Sequence, residues 1–308
     1  MRRLIIFSLL VAPFRLLSQD TAVYFNDQPF TLAEVVVRNN FDYRAVLSAI
    51  QQDTSFYKAF RNLRILGYSS YNDIRMMDKK GKMKASLYSK TRQHRTNNCR
   101  YTEVLQEEVT GDFYGPGRKY NYMTAELYAS LFFARDTICG ENNLVKGHSI
   151  RTSGKTGLDK HKEQLKMLFF NPGKKIPGIP FIGDKLDLYD ESAHELYDYR
   201  LDVEEWKGTL VYVFSITPKE DLGFLKNDRV VVDRMVTRMD MKSLEVMGRN
   251  YSLSYKAGVY DFDVSMEVEM TRFKGWIVPK ILRYKGNWDV IFKKRENAVF
   301  TATLFDFQ

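Results

Sequence analysis

Between Tyr260 and Thr271 apolar and polar residues alternate without a break. Tyr260, Phe262, Val264, Met266, Val268 and Met270 fall on one parity, and Asp261, Asp263, Ser265, Glu267, Glu269 and Thr271 on the other. Successive side chains of an extended chain point to opposite faces, so this stretch reads as a strand with one buried and one solvated side. The same period runs through Tyr197, Tyr199, Leu201 and Val203. It returns after Lys207-Gly208 in Leu210, Tyr212, Phe214 and Ile216. Val230–Val232 and Glu245–Tyr255 are further strands. Lys274-Gly275 is expected to turn into Trp276–Tyr284, Gly286-Asn287 into Trp288–Arg295, and Ala298–Phe307 to follow. These are consecutive hairpins, a meander.

The first half is mixed. Leu32–Val37 reads as a short strand. From 42 to 63 the period changes: Tyr43, Val46, Leu47, Ile50, Phe56, Phe60 and Leu63 mark an amphipathic helix with a break at Asp53-Thr54. Leu63–Met77 and Lys82–Gln93 flank the turn Asp78–Gly81 as a hairpin, and Arg100–Gly111 is a third strand. Met123–Arg135 and Leu158–Phe170 are helix candidates. Asn171–Gly183, with Pro172, Pro177 and Pro180, is a loop or crossover. The fold class expected is α+β, mainly antiparallel β, with a curved open half-barrel sheet wrapped around a few helices.

The chain begins with Met1-Arg2-Arg3 and a short apolar run to Phe14, the pattern of a secretory signal peptide over residues 1–19. Residues 20–308 then form a single domain with an extra helical and loop segment near 115–190. No later stretch is apolar enough for a membrane-spanning helix. A periplasmic or outer-membrane-associated location follows. Without residues 1–19 the formal charge drops from +9 to +6, spread along the chain, which gives no footprint for nucleic acid. Cys99 and Cys139 are the two cysteines, and in an oxidising compartment they are a possible disulfide pair.

The order of elements is similar to the LolA/LolB-like lipoprotein-carrier fold. The residues that carry the likeness are Leu196–Lys219 with its terminal Pro218, Val230–Arg234 followed by Asp240–Ser243, and Gly275–Lys280. Glu34–Val37 and the following helix also resemble Bacteroidetes-type periplasmic envelope proteins. The resemblance implies a hydrophobic groove and no individual binding residue. An apolar sheet face wider than one helix independently invites a cavity for an acyl chain. Tyr260, Phe262, Met266, Met270, Tyr212 and Phe214 are the candidates to line it, and ordinary core packing is the alternative for each.

Catalytic patterns are sparse. Gly147–Thr156 has six residues where a phosphate-binding P-loop needs four. His94, His148, His161 and His194 form no metal-binding pair, and no Gly-x-Ser-x-Gly elbow occurs. The acids at 261, 263, 267 and 269 follow the strand alternation as a solvated face. The expectation is a non-catalytic envelope protein without a cofactor, binding or sensing a lipid or lipidated protein, with no nucleotide. The alternatives are an interaction module with an envelope protein partner and an outer-membrane β-barrel.

Overall fold

The computed structural model describes residues 20–38, 42–134, 136–145, 166–170, 172–176, 183–223, 228–257, 260–290 and 295–308. The expected signal peptide, Gly147–Thr156, His148, His161 and the first part of the 158–170 helix lie outside them.

Among the described residues thirteen strands form one sheet. Its centre is the meander: β7 (Tyr197–Trp206), β8 (Thr209–Pro218), β9 (Val232–Asp240), β10 (Val246–Ala257), β11 (Tyr260–Phe273), β12 (Trp276–Val290) and β13 (Glu296–Phe305). Each pairs antiparallel with the next. The two hairpins from the first half extend the meander at opposite ends. β1 (Thr21–Phe25) and β2 (Gln28–Leu32) join at β7 through a parallel contact of β2. β3 (Tyr68–Met77), β4 (Met83–Thr96), β5 (Cys99–Gly111) and β6 (Ile138–Cys139) join at β13.

This order forces the chain across the sheet twice. β2 and β3 lie on opposite sides of the whole meander, so residues 33–67 must travel from one to the other. They do so as α1 (Glu34–Arg38), α2 (Tyr43–Gln51) and α3 (Ser55–Asn62). α4 (Met123–Phe132) lies between β5 and β6, and the return from β6 to β7 includes helical residues 166–170. Both crossings leave buried apolar side chains, Val46, Leu47, Ile50, Phe56 and Phe60 from one and Met167–Phe170 from the other, in one cluster with the inner sheet face. Burying a helix stripe against an apolar sheet face removes both from water.

The sheet stays open, with β1 and β6 as its edges. Its outer face carries ion pairs such as Arg283 with Glu267 and Arg295 with Asp261. A membrane barrel needs the reverse, a closed sheet with an apolar exterior. The barrel alternative is therefore set aside.

Two local expectations are corrected. Val35-Val36-Val37 lies in a helix, not a strand. The strand is the preceding Gln28–Leu32, which forms a hairpin with Thr21–Phe25 through Asn26 and Asp27, both at positive φ. The Ala33 N–H binds Leu201 O at 2.9 Å as the last tie to the sheet, and the Ala33 carbonyl then accepts from Val36 at 2.9 Å as the helix begins. Gly286-Asn287 is no turn either: β12 runs straight through it. A Cβ on Gly286 would lie 1.9 Å from the Tyr284 hydroxyl, so glycine is present to let that ring lie along its own strand.

Cys99 and Cys139 face each other in register and are joined by a disulfide. Just beyond, Glu141 accepts from Arg64 at 2.8 Å and from Arg100 at 2.5 Å, while Lys58 and Arg61 donate to the Asn143 and Asn142 carbonyls at 2.7 Å. The bridge and this clasp tie the β5–β6 edge to α3. Replacing both cysteines by serine is expected to cost about 2–4 kcal/mol, because the bridge closes a 40-residue separation. Urea unfolding with and without reductant measures it, and the variant should become insensitive to reductant.

Candidate functional site

The inner face of β8–β13 is where the sequence candidates gather. Phe262, Met266, Met270, Tyr212 and Phe214 are all buried in the main cluster. Tyr260 opens β11, and its side chain lies outside the described residues. The candidates split into two neighbourhoods. Phe214 packs with Phe30 and Tyr199 near the β2–β7 junction. Phe262 packs on Trp288 at 5.2 Å, further along the meander.

The centre of this face is aromatic. Tyr284 stacks on Phe300 with centroids 4.4 Å apart, and Phe169 stacks on Tyr284 at 5.3 Å. Phe170 turns the other way, against Phe60 at 4.9 Å and Tyr57 at 5.2 Å on α3. The four residues Met167–Phe170 therefore fill the space between helix and sheet. The Tyr251 hydroxyl lies 3.2 Å from the Phe169 carbonyl oxygen and 2.9 Å from Met266 Sδ, and donates to one of them at a time. Burial pushes the Tyr251 phenol far above its ordinary value, so it stays a neutral donor. Among the described residues the methionines at 76, 167, 235, 239, 266 and 270 are buried in the same cluster. Their unbranched, polarisable chains can repack around a changing shape.

Charged side chains also reach this interior. Arg249, on β10, pairs with Asp53 at 3.0 Å with both side chains buried, donates to Thr237, and lies over the Phe56 ring. Asp53 also accepts from the Ser55 N–H at 2.7 Å, and the Ser55 hydroxyl accepts from the Val246 N–H. The α2–α3 break is thus locked to two places on β10. Lys174 donates to the Gln51 carbonyl and lies over Tyr189, and burial lowers its pKa.

None of this resembles a catalytic constellation. His94 is half-buried, stacked on Tyr101 and paired with Glu103 at 2.7 Å. His194 is buried, stacked on Tyr199 at 4.5 Å, with no hydrogen bond to either ring nitrogen among the described residues. Among the described residues no three His, Cys, Asp or Glu side chains converge as a metal site. Sequence reasoning missed Tyr251, Tyr284, Phe300 and Met167–Phe170 as a group. The alternation puts the first three on the inner parity, but their meeting with a distant segment has no local signal.

No family model and no curated protein matches the chain. Solved structures do. One is a DUF1329 family protein from Desulfovibrio piger ATCC 29098, similar over 84% of this chain and 92% of its own, at 12% identity and a TM-score of 0.25. Another is a domain named as an outer membrane lipoprotein-sorting protein, from Vibrio parahaemolyticus. It is similar over 80% of this chain and 88% of its own, at 8% identity and a TM-score of 0.27.

Burial, with Lys219 nearby, pulls the His194 pKa down from 6.5 to about 4. The unfolded chain therefore takes up this proton first as pH falls. The stability it represents is intact above about pH 6.5, drains between 6.5 and 4, and is gone below. His194→Phe should flatten that part of the stability-against-pH curve, as read by thermal unfolding from pH 7 to 4. Breaking the buried pair with Asp53→Ala should cost roughly 3–5 kcal/mol, because Arg249 is left buried and unpaired. Arg249→Met in the same background should recover part of the loss in urea unfolding.

Proposed function

We propose that this protein is a non-catalytic envelope protein that takes an acyl chain, from a lipid or a lipidated protein, onto the inner face of its sheet. The observation that carries the reading is the position of Met167–Phe170. These residues belong to no strand and fill an aromatic and methionine-lined space between α3 and β10–β13. Apolar side chains of this kind occupy the volume an acyl chain needs, and exchanging one for the other leaves the sheet and its hydrogen bonds intact. Phe262, Met266 and Met270 line that path, while Tyr212 and Phe214 belong to the neighbouring cluster at the β2–β7 junction. The Cys99–Cys139 bridge fits an oxidising compartment outside the cytoplasm, in keeping with the leader-like residues 1–19.

A groove filled by its own chain binds with an affinity reduced by the fraction of molecules in which the filler is displaced. Tyr251→Phe removes the hydroxyl that reaches the Phe169 carbonyl and keeps the ring. It should raise the apparent affinity for a fluorescent long-chain fatty acid by about three- to tenfold, the value of one hydrogen bond. Met266→Trp, which overfills the same space, should lower it. Saturable binding that neither variant shifts would remove the inner face as the site.

A further inference from the structure

The opposite face of the same strands holds a second feature. A shallow groove of ≈ 580 Å³ crosses the outer side of β9–β13. Its lining mixes short polar residues, Asn250, Ser252, Ser265 and Thr301, with Val236 and Val299, and long cations stand at both sides. One row across the strands reads Arg234, Ser252, Ser265, Lys285, each the register partner of the next. The adjoining row carries Asn250, Glu267 and Arg283. Neighbouring strands are about 4.8 Å apart, so Arg234 and Lys285 start about 14 Å from each other with only the two serines between. Their side chains are long enough to meet one anionic group over that floor.

The charges on this face are unequally matched. Arg238 pairs with Glu204 at 2.5 Å, and Arg283 with Glu267 at 3.1 Å and Glu269 at 3.3 Å. Asp233, beyond the lining, accepts from Ser254. Arg234 and Lys285, both exposed, have no acidic partner among the described residues. Two unmatched cations over hydroxyl groups attract an anion, and guanidinium and ammonium groups both suit phosphate oxygens. The floor adds groups of mixed character: Asn250 and the serine hydroxyls donate and accept, and the Glu267 carboxylate accepts. That combination suits the hydroxyls of a sugar more than a bare ion or a peptide.

We infer that the outer groove over β9–β13 binds a phosphorylated saccharide, with Arg234 and Lys285 holding the phosphate and Asn250, Ser252, Ser265 and Glu267 meeting the sugar hydroxyls. The phosphate-sugar chemistry is the same whether the molecule is free or is the headgroup of a glycolipid. The residues assigned to the ligand alternate along their strands with Tyr251, Met266 and Tyr284, so they face away from the inner site and the inference is independent of that reading.

Calorimetric titration of the full chain with glucose 1-phosphate, and flotation with vesicles containing a phosphorylated glycolipid, separate the two sources. Binding in either arm is expected, weakening as salt rises, and glucose without phosphate should bind at least tenfold more weakly. Arg234→Ser with Lys285→Ser should weaken binding at least tenfold. Lys274→Ser with Lys280→Ser removes the same charge from exposed positions outside the groove and should leave binding within twofold. Ser265→Trp, which fills the floor without changing charge, should also abolish it. Titration without flotation assigns a free sugar phosphate, and flotation assigns a headgroup. Absence of binding in both arms overturns the proposal, and so does equal loss in the two double variants.

Discussion

An open antiparallel sheet has one apolar face that it cannot cover by itself, and here the covering is set by connectivity. Because β2 and β3 sit on opposite sides of the seven-strand meander, and β6 and β7 likewise, two crossings traverse the inner face in opposite directions. The first crossing supplies amphipathic helices. The second supplies the Met167–Phe170 segment, and α4, between β5 and β6, adds its buried side to the same cluster. Both lie against the same strands, so the interior is a layer of chain between crossings and sheet, not a core that the sheet closes on its own.

Polar contacts give that layer its register. Apolar burial is non-directional, so it does not choose where along the sheet a helix rests. The Asp53–Arg249 pair and the Ser55 contact with Val246 do, because a displaced helix pair would leave a charge buried without a partner. At the other end, Glu141 between Arg64 and Arg100, with the neighbouring disulfide, fixes the β5–β6 edge to α3. Between these two ties only the Tyr251 hydroxyl joins the sheet to the Met167–Phe170 segment in the described hydrogen bonds. The segment is held mainly by apolar contact, which an acyl chain can replace in kind.

Much of the sheet was legible in the sequence. The alternation from Tyr260 to Thr271 places β11 and its two faces. Asp78–Gly81, Lys207-Gly208 and Lys274-Gly275 mark real turns, and the Asp53-Thr54 break separates α2 from α3. The misreadings share a cause. Gly286 looks like a turn residue, but its role comes from the Tyr284 ring two residues away, a packing fact invisible to local pattern. Val35-Val36-Val37 has strand-like composition, yet after the last sheet bond, from Ala33 to Leu201, the Ala33 carbonyl turns to the Val36 and Val37 N–H groups and the helix begins. For the site, parity placed Phe262, Met266 and Met270 on the inner face. It gave no sign of what covers them, because the partner segment lies about a hundred residues earlier in the chain.

The central claim is that the inner face exchanges its own apolar segment for an acyl chain. Mass spectrometry of organic extracts from natively purified protein tests it most directly. The account predicts a stoichiometric lipid or acylated species in the wild-type extract, and its loss from Met266→Trp. Extracts free of lipid from wild-type protein and from Tyr251→Phe alike would contradict it.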